Sequence, residues 1–418
     1  MMTRGADAGR TQANARALDT GRPGSPMEVF RVFLGLGLTS FGGPIAHLGY
    51  FQTAIVQRRR WLSDVEYADI VALCQVLPGP ASSQVGLMIG LQRAGIAGAI
   101  AAWVGFTLPS ALLMTIFALG LNLFDNTVGE GIIHGLKVVA VTVVALAVWG
   151  MARTLWSDRL RVTVGLVAAI VVLLWPTAIG QVLVLVAAAV AGIALLSRGL
   201  PGSSSTAPLG AAATTTGPIG RPLAIACLAL FAGLLVGLPL VSTIADTQLV
   251  DLFDGFYRSG SLVFGGGHVV LPLLESEVVP NGWVTPDEFT AGYGLAQAIP
   301  GPLFTFAAYL GAVTDGIVGA IVVLVAIFLP SFLLVFGVVP FWEAVRRRPV
   351  MLAALAGVNA AVVGILLAAL YDPIWTSAIG QPEDLALAIG AVGALAWWKV
   401  PPWLVVLVAA AVGILIVP

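Results

Sequence analysis

The sequence predicts an all-α polytopic membrane protein of two inverted-topology repeats, each with two broken-helix hairpins followed by about four transmembrane helices. Three observations carry this expectation: a composition too poor in charge for a soluble domain, an ordered internal repeat, and loop charges that change sign between matched loops. Of 418 residues, 59% are hydrophobic and 10% charged, with a mean hydropathy of +0.99. Soluble domains carry roughly a quarter charged residues, so most of this chain must face lipid or other apolar helices. Its 49 Gly and 25 Pro would weaken soluble helices, yet both are tolerated in membrane helices, where neighbours re-satisfy freed backbone groups.

Residues 1–27 are rich in Ala, Gly, Arg and Thr and lack the apolar run of about 7–15 residues that a secretory signal needs. They read as a disordered cytoplasmic tail. A second polar break, 199–221, holds Ser203, Ser204 and Ser205 and then Thr214, Thr215 and Thr216 among scattered Pro and Gly. Such a segment cannot bury enough apolar area to fold, and it reads as a flexible linker between a first repeat (28–198) and a second (250–418). Net charge is -1, which gives no reason to expect a nucleic-acid partner. Cys74 and Cys227 lie far apart in apolar segments, so neither a disulfide nor a cysteine metal site is expected.

The repeat aligns Phe41, Gly42 and Gly43 with Phe264, Gly265 and Gly266, and Trp61 with Trp283. Gln75 falls on Gln297, and Pro78-Gly79-Pro80 on Pro300-Gly301-Pro302; Leu108-Pro109-Ser110 matches Leu329-Pro330-Ser331 one residue out of step. A later echo, Ala178 to Gln181 against Ala378 to Gln381, requires a deletion of about twenty residues. Ordered matches of rare residue types are the mark of duplication.

Lys and Arg near span ends stay on the cytoplasmic side. The first repeat's positive loops hold Arg58 to Arg60, then Arg93, then Arg153, Arg159 and Arg161; their counterparts hold Glu275, Glu277, Asp287 and Glu288, then Asp315, then Asp372. Conversely, the loop with Asp125 and Glu130 corresponds to the one with Arg346, Arg347 and Arg348. Arg258 is the exception. Swapped signs imply halves that sit upside down relative to each other, as in many secondary transporters. Full spans are expected at 95–121, 131–152, 160–176 and 179–197, then at 317–341, 350–371, 385–398 and 403–417. A connecting helix at 222–240 inverts the second half. With a cytoplasmic N-terminus, every arginine-rich loop then falls inside.

Upstream of these spans, each half has two apolar stretches broken centrally by Gly or Pro, read as hairpins of half-length helices. Their tips are Gly42-Gly43-Pro44, Pro78-Gly79-Pro80, Gly265-Gly266-Gly267 and Pro300-Gly301-Pro302. Proline is favoured at the first helical position, so Pro44, Pro80 and Pro302 are expected to open the returning half-helices. Free N–H groups at such ends bind anions, and irregular backbone at this depth must line a cavity or be buried in protein. Four such ends could converge near the midplane. Ser82 and Ser83 after Pro80, and Thr305 after Pro302, add hydroxyl donors; each can equally bond back to its own helix. Gln75 and Gln297 precede their prolines by three residues. His47 and His268 follow the first tips and can contact an anion or titrate, or simply bond a backbone carbonyl. Lys137, one helical turn from His134, is a suspect because an intramembrane ammonium is costly, although it can also reach back toward the surface. Gly86 and Gly90 match a small-residue packing motif and read as structural.

The segments from Leu38 to His47, from Cys74 to Gln84 and from Val263 to His268 resemble the chromate ion transporter family in its long, two-domain form, and the resemblance runs from Glu28 to Pro418. It implies export of chromate, a tetrahedral oxyanion, across a bacterial cytoplasmic (inner) membrane, conferring resistance, with sulfate as a look-alike substrate. The expected partners are that small anion and the lipid bilayer; a homodimer is compatible with the sequence, and no cofactor or metal is expected. A sulfate or other oxyanion permease, or a passive anion channel, is the alternative. An enzyme is disfavoured, because no nucleophile elbow, phosphate loop or metal-binding His and carboxylate cluster occurs in the chain.

Overall fold

A computed structural model describes residues 24–41, 43–120, 127–196, 219–245, 247–264, 267–342 and 348–416. Most of the expected tail and linker, and the tip residues Gly42, Gly265 and Gly266, lie outside the described residues. Among the described residues every regular element is helical.

The first hairpin is α1 (Pro26–Thr39) and α2 (Gly43–Phe51), prolonged by a π-helical stretch, Gln52–Arg58. The Ser25 hydroxyl caps α1 by accepting from the Glu28 N–H, and the helix stops where Ser40 turns extended. The second hairpin is α3 (Asp64–Val76) and the start of α4 (Ala81–Gly120). A capping box of Ser63 and Glu66 opens α3, satisfying two orphan N–H groups reciprocally. The other half repeats the pattern. There α9 (Gln248–Leu262) leads into a 3-10 turn at Gly267–Val269 and α10 (Val270–Val278), and α11 (Pro286–Ala298) into a turn at Leu303–Thr305 and α12 (Phe306–Val338). Thr285 and Glu288 form the matching capping box on α11.

Neither α4 nor α12 is one straight rod. Ala94 (φ -145°) and Gly95 (φ +66°) fold α4 sharply, and Asp315 (φ -145°) and Gly316 (φ +58°) fold α12 in the same way. In a straight helix Gly90 and Gly98 would stand about 12 Å apart at 1.5 Å per residue; here their backbones touch, as do those of Gly311 and Gly319. Each fold separates a half-helix rising from a tip from a full span that starts at the surface. Gly90 therefore serves packing, and Gly86 lies against Phe33, as expected of both.

The chain continues through α5 (Thr127–Leu155), α6 (Arg159–Leu174), α7 (Ala178–Ala191) and α8 (Arg221–Ala245), and after α12 through α13 (Pro349–Ala369), α14 (Pro382–Ala396) and α15 (Pro402–Ile416). Among the described residues five helices are long and apolar enough to cross a membrane: Ala81–Gly120, Gly129–Leu155, Arg221–Ala245, Leu303–Phe341 and Pro349–Ala378. The four shorter ones, α6, α7, α14 and α15, have 14 to 16 residues, or about 21–24 Å at 1.5 Å per residue, against a hydrocarbon core of about 30 Å.

Those short pairs pack mainly on the opposite half, although α15 also touches α11 of its own half. The α6–α7 pair lies on α13, and the α14–α15 pair lies on α5. Glycine permits the close approach: Gly364 meets the Gly165 carbonyl, Gly357 meets Ala188, Gly135 meets Ala409 and Gly413 meets Gly131. This exchange, together with α4 against α12, knits the halves into one body. It also corrects the late echo in the repeat. Ala178 to Gln181 open α7, whereas Ala378 to Gln381 bridge the end of the turn Thr376–Ala378 and the N-cap of α14, so the two quartets do not occupy equivalent positions. Arg258, the exception to the sign swap, is neutralised within its own half by Asp254 at 2.6 Å and Glu277 at 3.5 Å.

Candidate functional site

The tips meet between the halves. Gly79 donates its N–H to the Val263 carbonyl at 2.7 Å, and Gly301 donates to the Ser40 carbonyl at 3.0 Å. Residues 79 and 301 are repeat-related, as are 263 and 40, so the two bonds are one contact made twice. Both glycines are left-handed, at φ +117° and +110°, where a side chain is strained. A methyl at 79 would lie 2.7 Å from the Ser331 hydroxyl, and one at 301 would lie 2.7 Å from that of Ser110. Those two serines follow Pro109 and Pro330 within α4 and α12. The first tips also face each other: Gly43 (φ +77°) looks toward the His268 Nε2, and Gly267 lies against Pro44.

The prolines sit slightly off the expected register. Pro44 is the second residue of α2, Pro80 immediately precedes α4, and Pro302 precedes the 3-10 turn that leads into α12. The returning helices still start within a residue of each proline, so their first-turn N–H groups open at the meeting point.

Around that point the polar side chains divide into two sets. His47, 1% exposed, holds the Ser82 hydroxyl at 3.3 Å through Nδ1 and packs edge-on against Phe106. His268 Nδ1 meets the Tyr293 hydroxyl at 2.5 Å. Thr305 donates to the Pro302 carbonyl at 2.8 Å, a bond within its own turn. In contrast, Ser40 Oγ, Ser83 Oγ, Gln84 Oε1, Thr107 Oγ1 and the Gln297 Nε2 are buried and make no hydrogen bond among the described residues. Native interiors leave few such atoms unpaired, and each has a cost in desolvation of about 1–3 kcal/mol.

A cavity of about 440 Å³ opens beside these groups, lined by Gly43, His47, His268, Gln297, Gly301 and Leu303, by Val143, Leu146 and Ala147 of α5, and by the loop Lys399 to Pro402. Of the expected site positions it gathers Gly43, His47, His268, Gln297 and Gly301; Pro44, Gly79, Pro80, Ser82, Ser83, Gly267, Pro302 and Thr305 are not in its lining. Gln75 and Lys137 lie outside it as well. Gln75 is exposed and does not line the cavity, although its repeat partner Gln297 does. Lys137 pairs with Asp287 at 2.9 Å at the start of α11, because an ammonium in an apolar wall seeks the nearest carboxylate. A turn away, His134 meets Asp384 at 2.5 Å.

Sequence reasoning passed over Ser40, Thr107, Tyr293 and Lys399. Lys399 follows Trp397 and Trp398, a pattern that reads as an interfacial anchor. Thr107 and Ser110 stand beside a recognised proline match, and that match was the signal available for them.

A chromate transporter family model matches residues 27–193 and again 250–414, so the same unit occurs twice. The chain is 29% identical over 378 residues to a chromate transport protein of Pseudomonas aeruginosa, covering 89% of this chain and 86% of that one. It is 25% identical over 398 residues to a chromate transport protein of Cupriavidus metallidurans, covering 94% and 93%. It is also 26% identical over 395 residues to a probable chromate transport protein of Synechococcus elongatus, covering 93% and 95%. No solved structure matches. With both halves matched, the chain belongs to the chromate transporter family.

Proposed function

We propose that this protein is a secondary transporter that exports chromate from the bacterial cytoplasm, holding the anion near the membrane midplane between the four tips. One observation carries the reading. Buried donor atoms without a partner among the described residues, the Ser40, Ser83 and Thr107 hydroxyls and the Gln297 Nε2, lie on the elements whose half-helix N-termini meet. Hydrogen-bond donors that the protein leaves unpaired are what a tetrahedral oxyanion would satisfy, and the helix ends add about half a positive charge each. The relatives' printed substrate supplies the choice of chromate; sulfate has the same charge and shape.

In this reading the two halves are inverted repeats, the N-terminus is cytoplasmic, and α8 is the span that turns the second half over. Its largely exposed surface suits a helix that connects rather than one that builds the site. The test is uptake into proteoliposomes of chromate, sulfate, phosphate and molybdate at one fixed membrane potential. Chromate transport that saturates and shows counterflow of labelled substrate supports a carrier. Preference for sulfate would reassign the substrate, and linear flux without counterflow would make the protein a channel.

A further inference from the structure

Among the described residues the cavity beside the tips has one lysine and no arginine, aspartate or glutamate in its lining. That lysine is Lys399, in the loop between α14 and α15. We propose that Lys399 is the anion-collecting residue of this cavity, the fixed positive charge that draws a divalent oxyanion from the cytoplasm toward the tips; this rests on the transport reading above.

Four observations support it. First, the loop is fixed. The Val400 N–H donates to Ala394 at 2.9 Å, Trp398 to Gly393 at 3.2 Å, and Leu404 to Pro401 at 3.0 Å. Second, Lys399 adopts φ +52°, a left-handed position after a helix where Gly or Asn is the usual occupant. A long cationic side chain there is an outlier of the sort that function retains. Third, the loop reaches the cavity because α14 and α15 are short, at 15 residues each. Along α5, the Val143 to Ala147 level that lines the cavity precedes Arg153 by six to ten residues, about 9–15 Å at 1.5 Å per residue. Gly413 lies against Gly131 and Ala409 against Gly135, so α15 runs antiparallel to α5 and the loop that precedes it lies toward the Arg153 end of α5, the end the charge rule makes cytoplasmic.

Fourth, the charge is unmatched in the other half. The equivalent loop, between α6 and α7, reads Trp175, Pro176, Thr177, with no cation at any position. A single positive group over a cleft with apolar walls focuses its field into that cleft and raises the local concentration of an opposite charge. The four cavity positions from Lys399 to Pro402 are otherwise apolar, so the field is not cancelled locally.

The competing explanation is that Lys399 and its two exposed tryptophans only anchor the loop at the lipid headgroups. Reconstituted full-length protein distinguishes the two, with Lys399→Gln and Lys399→Arg compared with the parent at low and high ionic strength. An anion collector predicts that Lys399→Gln raises the chromate KM about tenfold at low salt, leaves the maximal rate within about twofold, and flattens the salt dependence, while Lys399→Arg behaves as the parent. An unchanged KM and salt slope, or a lower maximal rate at unchanged KM, overturns the assignment and leaves the transport reading standing. Equilibrium binding of chromate to the same proteins in nanodiscs is the second measurement. If the parent binds chromate in a Lys399-dependent way but moves none, the transport reading falls and the lysine assignment holds. If it neither binds nor moves chromate, both fall.

Discussion

Gly79 and Ser331 come from opposite halves, yet a methyl group on Gly79 would lie 2.7 Å from the Ser331 hydroxyl. The same clearance separates Gly301 from Ser110, and the left-handed backbone at both glycines adds strain to any replacement. Gly301→Leu should therefore abolish transport, and Gly43→Leu should do so by filling the gap toward His268. Gly95 is the control: it too is left-handed, but no atom lies within 4 Å of a methyl there. At φ +66° and ψ -158° an alanine there sits in an essentially glycine-only region, so Gly95→Ala should lose about 1–3 kcal/mol of backbone energy and keep most of its transport per inserted protein. The measurement is uptake per unit of inserted protein. Full activity in both leucine variants would remove the tips from the pathway.

Ser83 separates a binding role from a structural one. Its hydroxyl is buried without a partner, so removing it from the empty protein should cost no stability and can add some. With substrate bound the sign reverses, because a hydrogen bond to a charged group contributes about 1.5–3 kcal/mol. Ser83→Ala should leave the melting temperature equal or slightly higher while raising the chromate KM by about tenfold or more. Thr305→Ala should leave the KM near the parent value, since that hydroxyl is already committed to the Pro302 carbonyl. A Ser83→Ala protein that is destabilised with unchanged KM would make the hydroxyl a packing group.

The orientation of the halves can be read by labelling. Arg59 and Asn281 are repeat-related and exposed, and the two native cysteines are buried. In a Cys74→Ala, Cys227→Ser background, Arg59→Cys should react with an impermeant maleimide from the cytoplasmic face and Asn281→Cys from the opposite face. Reaction of both from one face would end the inverted-repeat argument.

The parts of this structure that the sequence disclosed are those written in local chemistry. Tip glycines and the prolines beside them act within a few residues; the paired capping boxes of Ser63 with Glu66 and Thr285 with Glu288 are equally local but were passed over. The start of the full span at Gly95 was also readable, because a glycine among small residues can fold α4 on itself. Side-chain partnerships across the halves were not. Nothing near Lys137 indicates that Asp287, 150 residues away, would take its charge. The exchange of α6–α7 and α14–α15 between halves depends on surfaces without a period or motif. Lys399 was hidden for the same reason: it is remote in sequence from every tip, and only the packing of α15 on α5 brings it to them.

The last prediction concerns the driving force. A bacterial cytoplasmic membrane is negative inside, and moving one elementary charge through about 100 mV is worth roughly 2.3 kcal/mol, hence about 4.6 kcal/mol for a dianion. The field alone pushes chromate outward, whereas uptake would need at least two co-transported cations merely to cancel the electrical work. Protons would need a carrier at the site, and no carboxylate lines the cavity. Asp384 is engaged by His134 and by the N–H groups of Gly380 and Gln381, while Asp254 and Glu277 share Arg258. Among the described residues His47 and His268 are the imidazoles that line the cavity, and both are tied to hydroxyls. Export should therefore be electrogenic. In inside-out vesicles, where accumulation corresponds to export, a potential positive in the lumen should speed chromate entry with no pH gradient present. Accumulation that ignored the potential and required only a pH gradient would mean that the transported unit is neutral, and would return the histidines to the role of proton carriers.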